Sequence, residues 1–143
     1  MITVGVIANP AAGKDIRRLV AAGRVVSNQE KANTLQRVFA GLVSTGVERI
    51  LVMPDLSRLA APAMDAVEGQ VETSYIEMPR VDHQDGSTNA ARVMEAEGAG
   101  AIVTLGGDGT NRVVAKGAGD VPIVPISTGT NNVFPQMVEG TLA

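Results

Sequence analysis

The sequence predicts an α/β fold with three layers, a mainly parallel sheet covered by helices on both faces. Short apolar runs rich in β-branched residues end abruptly at Asn, Pro, Gly or Ser, as strands buried on both faces do. Segments of helical periodicity lie between them. The two patterns alternate along the whole chain, which is the signature of parallel strands joined by crossover helices.

The first apolar run, Ile2 to Ala8, stops at Asn9-Pro10. Ser27-Asn28-Gln29-Glu30 has the form of a capping box, in which serine and glutamate satisfy free amides reciprocally. After it, Ala32, Leu35, Val38, Phe39, Leu42 and Val43 share one helical face, and Gly46 supplies a stop. Ile50 to Met53 is the second run, ended by Pro54. A second helix fits Leu59, Ala60, Ala63, Met64 and Val67, provided that Pro62 sits in a first turn or at a kink. Val71 to Met78 is the third run and ends at Pro79. Asp85 and Ser87 read as caps of a third helix through Ala90, Val93, Met94 and Glu97, stopped by Gly98. Ala101 to Leu105 is the fourth run, a short helix from Thr110 to Lys116 follows with Gly117 as its stop, and Pro122 to Ile126 is the fifth. In sheets of this kind ligands bind beyond the carboxyl ends of the strands. Asn9, Gly106 and Ser127 each follow a predicted strand and belong to that edge.

Bulk properties narrow the function. The 143 residues suit one domain, 1–143, without an internal repeat or linker. A hydrophobic fraction of 45% and a charged fraction of 19% are those of an ordinary globular domain. Aromatics make up 2% (Phe39, Tyr75 and Phe134), so aliphatic and methionine side chains fill the core and no base-stacking surface is available. The net charge of -3 gives no global attraction for nucleic acid. The absence of cysteine excludes disulfides, thiolate metal sites and thiol nucleophiles. The start of the chain does not read as a signal peptide, and no apolar stretch would span a bilayer. A cytoplasmic protein is expected.

Three segments carry chemistry. Gly106-Gly107-Asp108-Gly109-Thr110-Asn111 joins a strand to a helix. Its glycines allow close backbone approach to a phosphate, and the helix start offers amides and partial positive charge. An acid among them suits a general base on an attacking hydroxyl, or a ligand of nucleotide-bound Mg²⁺. The same residue types also make ordinary turns. Neither a dinucleotide fingerprint nor a Walker A motif fits, because Arg112 and Asp15 stand where glycine and Ser/Thr are needed. Ser127-Thr128-Gly129-Thr130-Asn131-Asn132 offers hydroxyls, amides and a glycine amide after the fifth strand. Asn9-Pro10-Ala11-Ala12-Gly13-Lys14, with Arg17 and Arg18 close behind, puts small residues and cations after the first. The lone histidine, His83, belongs to a solvated loop.

Gly106-Gly107-Asp108-Gly109-Thr110 resembles the GGDGT motif of NAD kinases, diacylglycerol-type lipid kinases and, in related form, phosphofructokinases. With Ile7 to Asp15 and Gly129 to Phe134, the whole chain is most similar to the ATP-NAD kinase/AcoX group, in its N-terminal domain. The resemblance implies transfer of a phosphoryl group from ATP or polyphosphate to the 2′-hydroxyl of NAD, with Mg²⁺ carried by the nucleotide. It implies Asp108 as the catalytic base. Asn9, Gly13, Lys14, Gly106, Gly107, Gly109, Thr110, Gly129, Thr130, Asn131 and Asn132 would bind nucleotide and phosphate, with Thr110 also capping its helix. It further implies a homo-oligomer, small-molecule nucleotides as partners, and a β-rich C-terminal domain that lies outside this chain, without which the chain would turn over poorly. Asn131-Asn132 stands where typical NAD kinases carry Asn-Glu, and is closer to the Gly-Thr-x-Asn-Asp form of lipid kinases. A lipid or other small-molecule kinase is therefore the alternative, and a non-catalytic nucleotide-binding module the third reading.

Overall fold

The structure is a computed structural model that describes residues 1–8, 28–55, 57–78 and 84–127. Five strands form one sheet: β1 (Thr3–Ala8), β2 (Arg49–Val52), β3 (Glu72–Tyr75), β4 (Ala101–Gly106) and β5 (Ile123–Ser127). Their order is β3-β2-β1-β4-β5, and every neighbouring pair is parallel. Four described helices connect them: α1 (Asn28–Ser44), α2 (Ala61–Ala66), α3 (Gln84–Ala96) and α4 (Asp108–Ala118).

Alternation along the strands divides the core into two layers. Val4, Val6 and Ala8 of β1, Ile50 and Val52 of β2, and Val103 and Leu105 of β4 face α1 and α2. Ile7, Leu51 and Ile102 point the other way, against Ala90, Ala91 and Met94 of α3 and Val114 and Ala118 of α4. The expected face of α1 is the buried one: Ala32, Leu35, Val38, Phe39 and Leu42 all lie in the core. Each large apolar side chain buried there contributes about 1.5–3 kcal/mol. The stripe therefore outweighs the few tenths that β-branched and aromatic residues cost in a helix. Gly46 and Gly98 stand just past α1 and α3 with φ of 95° and 91°, the left-handed geometry that ends a helix and that glycine adopts without steric cost. Pro62 falls in the first turn of α2, where its missing amide breaks no helical bond.

Four expectations are corrected. The third strand is not buried on both faces. β3 is a sheet edge whose residues alternate between exposed and half-buried. Asp85 and Ser87 do not cap α3, because the helix already runs at Gln84. Ser87 is instead buried inside it, against the Met53 sulfur. Gly117 does not stop α4, which continues to Ala118 and ends at Gly119 with φ of 61°. Nor does Thr110 cap α4: Gly107 takes that place and Thr110 is the third residue of the helix, within its first turn. His83 falls outside the described residues.

Two glycines mark close approaches of helix to neighbour. A Cβ on Gly117 would collide with the backbone carbonyl of Thr88, so the glycine lets α3 and α4 touch backbone to backbone. The Thr88 hydroxyl donates to the Val113 carbonyl at 2.7 Å across the same contact. A Cβ on Gly5, in the central strand, would overlap the sulfur of Met94, which packs directly on the sheet backbone.

Candidate functional site

The chain leaves β1 for β2 on one side of the sheet and β4 for β5 on the other, so the strand order reverses between β1 and β4. The crevice over their carboxyl ends is the usual ligand position of such a sheet. Register brings to this edge the strand ends that the predicted segments follow. Ala8 lies beside Leu105, and Gly106 beside Ser127. Of the predicted binding residues, Gly106, Gly107, Asp108, Gly109 and Thr110 are described and form one continuous turn. Asn9, Gly13, Lys14, Gly129, Thr130, Asn131 and Asn132 lie outside the described residues.

The turn has a definite construction. Gly106 ends β4, and Gly107 occupies the N-cap of α4 in an extended conformation with φ of −103° and ψ of −167°. Having no side chain, Gly107 cannot cap the helix itself. The first helical bond runs from the Asn111 amide to the Gly107 carbonyl at 3.1 Å. The amides of Asp108, Gly109 and Thr110 precede it, and by helix geometry they point beyond the helix end toward the crevice. This is the arrangement that binds anions. A Cβ on Gly109 would meet nothing within 4 Å, so its lack of a side chain leaves open space beside those amides rather than relieving a clash.

Asp108 opens α4 and is half-buried, with Oδ1 shielded from solvent. A carboxylate in the first turn interacts favourably with the helix dipole. Below it the turn is pinned to the strand. Thr104, buried in β4, donates its hydroxyl to Asn111 Oδ1 at 2.5 Å. Thr110, also buried, packs on Gly106 so closely that a Cβ there would lie 2.6 Å from its hydroxyl oxygen. Two contacts thus fix the direction in which Asp108 and the leading amides face.

Sequence reasoning missed two charged residues at this edge. Lys31, in the first turn of α1, is completely buried, and Asp55, three residues after β2, is 3% exposed. Lys31 continues the apolar stripe of α1 at the i, i+4 spacing from Leu35, a signal that could have marked it as inward-facing. Among the described residues no three His, Cys, Asp or Glu side chains gather as a metal site, and no helix is long and apolar enough to cross a membrane.

Comparison with known proteins agrees with this geometry. Residues 4–142 match the model of the ATP-NAD kinase N-terminal domain. The chain is also 42% identical over 146 residues to acetoin catabolism protein X of Cupriavidus necator. That alignment covers 97% of this chain and 41% of the relative, so the chain spans about two fifths of the length of the protein it matches. A parallel sheet with its glycine turn at the point of strand reversal, matched by a family model over nearly its whole length, places the chain in the ATP-NAD kinase family, as an N-terminal domain.

Proposed function

We propose that this chain is the nucleotide-binding part of a phosphotransferase that moves the γ-phosphoryl group of ATP, or a phosphoryl group of polyphosphate, to the 2′-hydroxyl of NAD. The observation that carries the reading is the position of Asp108, fixed in the first turn of α4 at the strand-reversal edge and flanked by glycines and helix-end amides. Phosphoryl transfer depends mainly on positioning and charge stabilisation, and such a turn provides both. The leading amides of α4 hold phosphate oxygens. Asp108 accepts the proton of the 2′-hydroxyl as its oxygen bonds to phosphorus, while the bond to the leaving ADP breaks. Mg²⁺ brought with the nucleotide would supply neutralisation of charge on the transferring group, with Asp108 as the acid of the turn able to hold it. Gly129, Thr130, Asn131 and Asn132 complete the nucleotide site from the β5 side, and Asn9, Gly13 and Lys14 from the β1 side. The natural setting is the cytoplasm, and the assembly a homo-oligomer.

The acceptor is the open chemistry. Asn131-Asn132 favours a lipid-kinase-like site as the second reading, and the name of the Cupriavidus necator relative adds acetoin as a hydroxylated candidate. The test is to incubate the full-length protein with Mg²⁺-ATP and, separately, NAD, diacylglycerol or acetoin. NADP formation is expected. Asp108→Asn should lower that turnover by a factor of about 10² or more, the range of general-base catalysis, while ATP still binds. Unchanged turnover in Asp108→Asn would remove the residue from the base role. Phosphorylation of a different acceptor alone would transfer the mechanism to that hydroxyl.

A further inference from the structure

The link from β2 to α2 leaves the sheet at its carboxyl edge. Met53, Pro54, Asp55, Leu59 and Ala60 are buried there, and Ser57 and Arg58 are the exposed ones among its described residues. Arg58 has φ of 53° and is the one described residue other than glycine with a positive φ. In that left-handed region a side chain crowds its own backbone, so glycine enters freely and a bulky residue is rare. The turn imposes the conformation. The Arg58 amide donates to the Asp55 carbonyl at 3.3 Å, and the Arg58 carbonyl accepts from the Ala61 amide at 3.2 Å. Glycine would hold the same turn without the strain.

The arginine side chain does not tie the fold together either. Arg37 donates to the Thr34 hydroxyl, Arg49 to the Glu97 carbonyl and Arg92 to the Asn89 side chain. Arg58 and Arg112 make no such bond to a described residue. Of these two, Arg112 lies on regular helical backbone and Arg58 alone on backbone that disfavours its residue type. Strained residues of this kind gather at active sites and ligand clamps. A guanidinium is always charged, and its planar fork of donors matches the oxygens of a phosphate.

Position selects the group it would hold. β1 stands between β2 and β4, so the ends of β2 and β4 are two strand spacings, about 10 Å, apart. Arg58 therefore stands across β1 from the leading amides of α4. The donor phosphates are assigned above to those amides and to the segments after β1 and β5, which leaves the β2 side for the acceptor. An anionic acceptor approaching Asp108 also needs a cation to offset that acid. We propose that Arg58 is a specificity-determining residue that binds an anionic group of the acceptor. The acceptor is then a phosphate-bearing molecule, such as a dinucleotide with its diphosphate, rather than a neutral alcohol. The assignment rests on the phosphotransferase reading given above.

The test is calorimetric titration of the full-length protein with NAD, ATP and adenosine, the last a neutral control, repeated on two variants. Arg58→Gly removes the side chain and the strain together, and Arg58→Gln keeps the strain but not the charge. Both should weaken NAD by about tenfold or more, the worth of a hydrogen bond to a charged group, and leave ATP and adenosine binding unchanged. Arg58→Gly should also raise the melting temperature. Unchanged NAD affinity, or an equal loss for ATP, would overturn the role of Arg58 and leave the phosphotransferase reading standing. A lower melting temperature in Arg58→Gly would show that the arginine serves the fold, and would overturn the assignment too. Wild-type protein that binds ATP but not NAD would overturn the phosphate-bearing acceptor alone. Binding of neither would sink the phosphotransferase reading and this assignment with it. Should one variant not fold, the other decides.

Discussion

At the scale of single residues, the glycine turn separates two uses of a missing side chain. Gly106 is required by packing, since Thr110 occupies the space where its Cβ would be. Gly109 has nothing near it and lies within the helix. Glycine there is unfavourable for folding, so Gly109→Ala should raise stability in urea unfolding by about 0.5–1 kcal/mol. The added methyl would stand beside the amides proposed to hold phosphate, so ATP affinity should fall in the same variant. Loss of stability would show that the turn needs glycine for its conformation; unchanged affinity would remove Gly109 from the phosphate contact. The motif was legible less from its residue types, which also make ordinary turns, than from its place between a strand and a helix at the edge where two other polar segments follow strands. Lys31 and Asp55 were not. A charged residue in a helical first turn or after a strand-ending proline is ordinarily solvated; for Lys31 the i, i+4 spacing from Leu35 was the one local sign otherwise, and for Asp55 the three-dimensional packing alone reveals its burial.

At the scale of elements, α3 and α4 depend on one another. Thr88 and Gly117 make a contact in which backbone meets backbone. Gly117→Ala forces its methyl against a carbonyl that cannot rotate away, so the two helices must separate. The expected loss is about 1–3 kcal/mol, measured by thermal or urea unfolding, whereas in an exposed helix interior the same change would stabilise. This contact also explains why the end of α4 was misplaced. A glycine near the end of a periodic segment reads as a stop, and a glycine kept for helix contact is indistinguishable from it without the partner. The strands and the buried face of α1 were readable because their periodicity is local. The edge position of β3 was not, because Glu72, Ser74 and Glu77 are scattered singly through a run of Val, Thr, Tyr, Ile and Met.

For the molecule as a whole, the alternation of strand and helix announced a parallel sheet, but its order is a matter of long-range pairing. The site follows from that order, because the reversal between β1 and β4 opens the crevice beside Asp108. The same order predicts a gradient of local stability. β1 is buried along its whole length and has partners on both sides, and β4 is nearly as enclosed. β3 has one partner and open positions. In hydrogen exchange the amides of β1 and β4 should be the slowest and those of β3 distinctly faster. Equal rates across all five strands would mean that the sheet opens only as a unit.

The bare backbone of Gly5 beneath the Met94 sulfur has a chemical consequence. Thioethers take up one oxygen from peroxide and become polar and bulkier. At Met94 there is no room for that oxygen while α3 rests on β1, and the sulfur is sealed from solvent. Met1, at 80% exposure, has no such protection. Oxidative damage therefore reaches the centre of this domain only in molecules that have already opened, and a sulfoxide formed there would keep α3 from closing again.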